Sequence, residues 1–329
     1  MIRAAMISYW HVHAEDYTRQ VLDNPGTELA AVWDEIPERG REKANKYGVP
    51  FIDSLDELLS RSDIDAVVVD APTNLHRDIM VRAARAGKHI FTEKVVAPTL
   101  SEANAVLEAV RQAGVKLAVS LPRVYDGYTR TILRVIEEGT LGRLTLARVR
   151  LSHNGATAGW LPEHFYSKEQ CGGGALIDLG CHPVYLIRLF LGLPDEVSAR
   201  FGYVTGKEVE DNAVAIMTYA DGAIGIAEAG FVNSHSPFSI ELHGTDGTLL
   251  FGFPEEKLLV RSSRLGDSWR EIPLEDRLPF AFDQWVKHVE EGTEAAENVE
   301  LAFDLTKLME AANLSASDGS AVRLANLRD

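Results

Sequence analysis

The chain has 329 residues, and its apolar, charged and aromatic shares of 46%, 25% and 8% suit two ordinary folded domains and exclude a disordered chain. A formal charge of -16 argues against nucleic-acid and anionic-membrane partners, which like charge repels, but leaves small ligands open. The two cysteines, Cys171 and Cys181, suit a reducing compartment. With no basic, apolar leader and no window near the ~20 apolar residues of a membrane span, a cytoplasmic setting is expected.

Up to about residue 121, short apolar runs alternate with amphipathic ones. "IRAAMIS", "ELAAVWD", "DAVVVDAP", "KHIFTEK" and "VKLAVSL" are continuous and rich in β-branched residues, as strands buried on both faces are. Between them lie the helical patterns "SLDELLSR", "LHRDIMVRAARAG" and "TLSEANAVLEAVRQAG". Gly87 and Gly114 close the last two, since glycine readily takes the left-handed turn that stops a helix. The alternation predicts an α/β, Rossmann-like doubly wound parallel sheet over residues 1–121, with ligands at the carboxyl ends of its strands.

The turn after the first strand is where such a sheet grips a diphosphate, and here it has no glycine. Ser8, Trp10 and His13 stand where the three glycines of GxGxxG would be. The grip belongs to backbone N–H groups and the helix N-terminus, so losing the glycines removes close approach rather than the donors. Trp10 crowds the turn most. Asp34 ends the second strand 21 positions after His13, near the ~20-residue spacing of a ribose-binding acid. With Glu35 beside it, Asp34 repels a 2′-phosphate and favours NAD over NADP; otherwise it is a solvated loop acid. His11 and His13 are only two ligands where zinc needs three or four, and no cysteine or carboxylate cluster adjoins them in sequence, so no metal is expected. They cap the helix start or pack against a neighbour, or else donate to cofactor phosphates.

"HIFTEKVVAPT" places Glu93 and Lys94 at the carboxyl end of a parallel strand. That lysine is a surface charge, or a proton donor and carboxamide anchor. After residue 122 the pattern changes to a helix ("TRTILRVIEEG"), a strand ("RLTLARVRLS") and an irregular stretch to about Gly172. A second helix and the strand candidates "EVSARFGYV", "NAVAIMTYA", "AIGIAEAGF", "FSIELHG", "GTLLFGF" and "KLLVRSS" follow. The links "ADGA" and "GTDGT" are hairpin-type turns. Residues 122–329 are therefore expected to form an α+β domain with a large, mostly antiparallel open sheet. It closes with the amphipathic helix "ELAFDLTKLMEAANLSASDG". In "CGGGALIDLGCHPVYLIRLFLG" Asp178 and His182 are four apart and share a helix face. Pro183 removes the amide that would bond Leu179, so a kink beside His182 is expected. A satisfied core histidine is the ordinary alternative for His182.

Together these stretches resemble the glucose–fructose oxidoreductase/inositol dehydrogenase/MocA (Gfo/Idh/MocA) family over nearly the whole chain. "DAVVVDAPTNLHRDIMVRAARAGKHIFTEKVVAPTLSEA" resembles the segment ending in the family's EKP motif, and "GGGALIDLGCHPVYLIRLFLG" its GG…DxGxH helix. "VEDNAVAIMTYADGAIG" is similar to the first hairpin of its large sheet. The resemblance implies NAD(P)-dependent hydride transfer at a sugar or polyol carbon, in a crevice between the two domains. Lys94, Asp178 and His182 are then catalytic. Histidine titrates near neutrality and suits the hydroxyl proton, Lys94 holds the developing oxyanion, and Asp178 orients substrate. Ser8, Trp10, His11, His13, Asp34, Pro72, His76, Glu93 and Lys94 fall on cofactor-contacting positions. Arg123, Tyr125, His153, Trp160, His164 and Lys168 lie on segments bordering the substrate pocket, with Arg123, Tyr125, Trp160 and His164 the named substrate candidates. The sequence departs from the family at the turn, at Val95 in place of the EKP proline, at Asp70 in place of a small residue, and at Ala71 in place of threonine.

The leading expectation is an oxidoreductase acting on a small carbohydrate, self-associated as a homodimer or homotetramer because an open sheet needs covering. An NAD-assisted glycosidase or lyase, and a metabolite-binding protein that has lost its cofactor, are the alternatives.

Overall fold

A computed structural model of the chain describes residues 1–327. It divides into two compact units, the first built from Met1–Leu121 and Pro279–Phe303, the second from Pro122–Leu278 and residues 304–327.

In the first unit the strands are β1 (Ile2–Ile7), β2 (Thr27–Trp33), β3 (Ala66–Val69), β4 (His89–Thr92) and β5 (Leu117–Val119). They pair in parallel in the order β2-β1-β3-β4-β5, the doubly wound sheet expected from the alternation. β3 is "AVVV" and is buried throughout, because helices cover both faces of such a sheet. The helix Leu100–Ala113 begins at Thr99, whose side chain accepts the Glu102 amide, and stops at Gly114 with φ 67°, as an N-cap and a left-handed C-cap should. The helix Pro37–Tyr47 was not visible in the periodicity. Its sequence "PERGREKANKY" buries only Gly40 and Ala44, so no apolar stripe betrays it.

The expected second domain of 122–329 loses Pro279–Phe303 to the first unit. The reason is packing. Helix Ala281–Glu291 sets Phe282 and Trp285 against Phe91 of β4, with ring centroids 5.3 and 5.9 Å apart.

The second unit carries β6 (Leu144–Ser152), β7 (Glu196–Gly202), β8 (Asn212–Thr218), β9 (Ile224–Gly230), β10 (Ser239–Gly244), β11 (Gly247–Phe251), β12 (Leu258–Ser262), β13 (Arg270–Ile272) and β14 (Val322–Arg323). Among the described residues their order is β13-β12-β11-β10-β6-β9-β8-β7-β14. All pairs are antiparallel except β6 with β9. Alternation along β8, with Ala213, Ala215 and Met217 buried, turns one face toward helix packing. The helical run Lys168–Leu191 is long and apolar enough to cross a membrane by length and composition, contrary to the sequence expectation. Its apolar residues serve another purpose: 72% of the window is buried inside the fold.

Candidate active site

Each parallel strand of the first unit hands over to a buried polar residue: Ser8 after β1, Asp34 after β2, Asp70 after β3, Glu93 after β4 and Ser120 after β5. The carboxyl edge of the sheet is thus its chemical edge. Ser8 adopts φ 75°, the left-handed conformation that a glycine takes most cheaply. Its Oγ accepts the Trp10 amide at 3.1 Å and Arg39 Nη2 at 3.3 Å. The other turn amides are also spent locally. Tyr9 donates to Asp34 Oδ2 at 2.9 Å, His11 to the Asp70 carbonyl at 3.1 Å and His13 to His11 Nδ1 at 3.3 Å. Trp10 is buried. His13 occupies the N-cap position of helix Ala14–Asp23 without a side-chain cap bond, so the capping expected of these histidines is not what it does.

Asp34 is not a solvated loop acid. It is 1% exposed and its oxygens accept the Tyr9 and Ile36 amides and a two-pronged bond from Arg39, at 2.7–2.9 Å. Arg39 Nη2 also reaches Glu35 at 2.6 Å. Its guanidinium is partly buried, which disfavours its charge, but Asp34 and Glu35 hold it charged more firmly than usual.

Glu93 is 2% exposed and lies at the centre of a polar cluster. Lys94 Nζ stands 3.6 Å from Oε1, and His13 Nδ1 and His11 Nδ1 stand 3.4 and 4.0 Å from Oε2. The Tyr17 phenol donates to Oε2 and lies 2.6 Å from Ser120 Oγ. Burial works to raise the Glu93 carboxyl, yet His11, Lys94 and His13 hold it well below the usual carboxylate range. Lys94 is therefore no surface charge; it is 6% exposed. Pro72 precedes the short turn Thr73–Leu75. His76 is buried with Nε2 on the Ala71 carbonyl at 2.9 Å and Nδ1 on the Val95 carbonyl at 3.0 Å. Burial lowers its pKa. His76 fastens the two loops that follow β3 and β4.

In the second unit, the glycines of "GGGA" admit a helix start against Glu210. Glu210 is 3% exposed and accepts the Gly174 and Leu176 amides, both at 2.9 Å. A Cβ on Gly174 would lie 2.1 Å from the Glu210 carbonyl oxygen. The kink expected at Pro183 is taken up one turn earlier, by a wide π-type turn over Leu176–Gly180 that carries Asp178 and leads into helix Cys181–Leu191. Turns of this kind recur at functional sites. His182 is 7% exposed, and its Nδ1 lies 2.9 Å from the Tyr185 phenol. That phenol accepts the Arg123 amide at 3.1 Å, and its second lone pair or its own proton is turned to His182 Nδ1, which fixes the plane of the imidazole. Asp178 acts electrostatically on His153, favouring its charged form, while burial lowers the His153 pKa.

Of the pocket candidates, Arg123 lies 4.2 Å over the Phe238 ring and donates to the Tyr128 hydroxyl at 3.2 Å. Tyr125 is buried and its carbonyl accepts the Leu278 amide. Trp160 is 55% exposed with its ring 4.5 Å from His153. His164 packs on Phe165, and Lys168 is exposed.

The "Oxidoreductase family, NAD-binding Rossmann fold" model matches residues 2–121, and the "GFO/IDH/MocA C-terminal domain" model matches 129–250. The chain is 31% identical over 245 residues to 1,5-anhydro-D-fructose reductase of Ensifer adhaerens, covering 72% of each chain. The chain belongs to the Gfo/Idh/MocA oxidoreductase family. It is 27% identical over 271 residues to scyllo-inositol 2-dehydrogenase (NAD(+)) of Bacillus subtilis, covering 80% of this chain and 76% of that one. The crystal structure of aldose-aldose oxidoreductase from Caulobacter crescentus, complexed with glycerol, shares the fold with a TM-score of 0.83 at 21% identity, over 98% of this chain and all of that one. As a family member the chain is an NAD(P)-dependent oxidoreductase.

The residues present suit a dinucleotide at one end and not at its middle. At the ribose end, Glu35 Oε2 is a buried acceptor with no hydrogen-bond partner among the described residues. It stands beside Asp34, where ribose hydroxyls donate. At the diphosphate, the Tyr9, Trp10, His11 and His13 amides are already bonded within the molecule, so a glycine-type grip by those donors is not built here. Sequence reading missed Arg39, Tyr17, Ser120, Tyr185 and Glu210, whose partners lie 3–103 positions away. Only Tyr185, three residues after His182, carried a local helical-spacing signal.

Proposed function

We propose that this enzyme uses NAD to interconvert a secondary alcohol and a ketone on a sugar, polyol or related carbohydrate. Bound to the first unit, the nicotinamide supplies the hydride acceptor or donor. His182 carries the proton. In reduction its Nε2 proton passes to the carbonyl oxygen, while Tyr185 and the Arg123 amide fix the ring orientation. In oxidation Nε2 takes the hydroxyl proton, with Nδ1–H directed to the phenol oxygen instead. Lys94 stabilises the alkoxide charge, and Asp178 orients substrate hydroxyls. The preference for NAD rests on Arg39. Its Nε and Nη2 are committed to Asp34 and Glu35, and these two carboxylates repel a 2′-phosphate, whereas a 2′-hydroxyl can donate to Glu35.

The observation that carries this reading is the buried His182–Tyr185 pair at 2.9 Å, which fixes the ring orientation of an imidazole on the family's motif helix. A panel of cyclitols and aldoses with NAD and NADP is the test. His182→Ala and Lys94→Ala should lower kcat by about 10²–10⁴-fold in protein that still melts cooperatively. Tyr185→Phe should shift the pH–rate profile with a smaller loss. Turnover unchanged in His182→Ala overturns the assignment, and cofactor that copurifies without net NADH formation redirects it to a glycosidase or lyase. The same reading includes self-association through the outer sheet face, where Ile216 and Ile224 are 37% and 38% exposed. Light scattering on the eluting protein checks it, and a monomer refutes it.

A further inference from the structure

The cluster around Glu93 holds more than the proposed reaction uses. One donor atom each from His11, His13 and Glu93 lies within 4.8 Å of the others, with the two Nδ1 atoms 4.0 and 3.4 Å from Glu93 Oε2. Ligands at about 2.0–2.1 Å from a tetrahedral ion stand about 3.3 Å apart, so small ring rotations bring all three into range once His11 Nδ1 exchanges the long 3.3 Å bond from the His13 amide for the ion. Two imidazoles and one carboxylate gathered on one side leave the remaining coordination positions open, an arrangement typical of first-row divalent metals. We propose that His11, His13 and Glu93 bind one first-row divalent transition-metal ion.

Two further features of this corner support the site. The carboxylate is already held in place, with Lys94 on Oε1 and the Tyr17 phenol on Oε2, and with Ser120 behind Tyr17. Metal-binding carboxylates are ordinarily oriented by such outer partners. The second is a charge imbalance. Asp70 is fully buried and neither of its oxygens has a hydrogen-bond partner among the described residues. It and Glu93 repel each other electrostatically. A buried carboxyl without a cation or a donor is costly, and Asp70 is close enough to Glu93 for each to oppose the other's charge. A divalent ion on the triad would ease that opposition.

The site adjoins Lys94 of the redox reading through Glu93, but its test needs no turnover. The full-length chain, stripped with a chelator, is titrated with Co(II) and separately with Zn(II), without dinucleotide. Saturable binding of one equivalent, visible d–d absorption from Co(II) that Zn(II) abolishes, and a higher melting temperature are expected. His13→Gln, whose ring is 40% exposed and whose loss the fold should tolerate, is expected to weaken binding by about tenfold or more, and Tyr17→Phe by about tenfold. His235→Gln, at an exposed histidine far along the chain, should bind as the unaltered protein does. Absence of saturable binding, or a folded His13→Gln that binds as tightly as the unaltered chain, overturns the proposal.

Discussion

Replacing Arg39 with methionine tests how the ribose corner is held together. Arg39 keeps a similar length of apolar stem in the variant but loses its two bonds to Asp34, at 2.8 Å each, and its bond to Glu35 at 2.6 Å. The Asp34 side chain is 0% exposed and that of Arg39 21%. Removing one member of a buried ion pair costs about 3–5 kcal/mol. Asp34 retains the Tyr9 and Ile36 amides and Arg39 is partly solvated, so a loss at or below that range's lower limit, about 2–3 kcal/mol, is expected. Urea denaturation of the unaltered protein, Arg39→Met, Asp34→Asn and the double variant closes a mutant cycle. Because asparagine leaves no buried charge to strand, the double variant should be more stable than the sum of the single losses predicts, by about 1.5 kcal/mol or more. Unchanged stability in Arg39→Met, or strict additivity, would refute the claim that Arg39 exists to neutralise Asp34.

Gly174→Ala is expected to destabilise by about 1–3 kcal/mol or more, because the new Cβ meets the Glu210 carbonyl oxygen at 2.1 Å and Val209 Cγ2 at 2.8 Å. Gly173→Ala, whose nearest neighbour is a flexible Ile177 methyl at 3.3 Å, serves as the control, and equal melting temperatures for the two would contradict the packing account. Burial opposes ionisation of Glu15, but hydrogen bonds from Lys43, Lys46 and Tyr47 bring its pKa down to about 2 from 4.5. The stability it contributes is therefore present above pH 4.5 and lost as pH falls toward 2. Glu15→Gln should cost no more than about 1 kcal/mol near neutrality, given its solvent exposure. The difference should vanish in acid, and a gap that widens on acidification would count against the pairing.

The parallel sheet could be read from the sequence because its strands are continuous apolar runs and its later helices close on glycine. Lys94 and His182 stood out as candidates because each sits in a motif with local grammar. Asp34 was found by spacing but its company was not, since Arg39 lies in a helix with almost no apolar face. The clearest shortfall concerns His11 and His13. No carboxylate cluster neighbours them in the chain, and Glu93 arrives from 80 positions away only because β1 and β4 both end at the same edge of the sheet. Side-chain pairs that depend on strand order leave no periodic trace. The π-type turn was likewise hidden: Pro183 signals a disrupted helix, but not that an extra residue upstream absorbs the disruption.

Helix Ala281–Glu291 belongs to the first unit although it follows the whole of Pro122–Leu278 in the chain. During synthesis, then, Phe91 waits for Phe282 and Trp285 until most of the polypeptide has left the ribosome. The dinucleotide-fold half cannot complete its core co-translationally ahead of the other half, as an N-terminal domain ordinarily does. A truncated product ending near residue 121 should expose that aromatic surface and precipitate, and circular permutants that begin at residue 279 should relieve the delay.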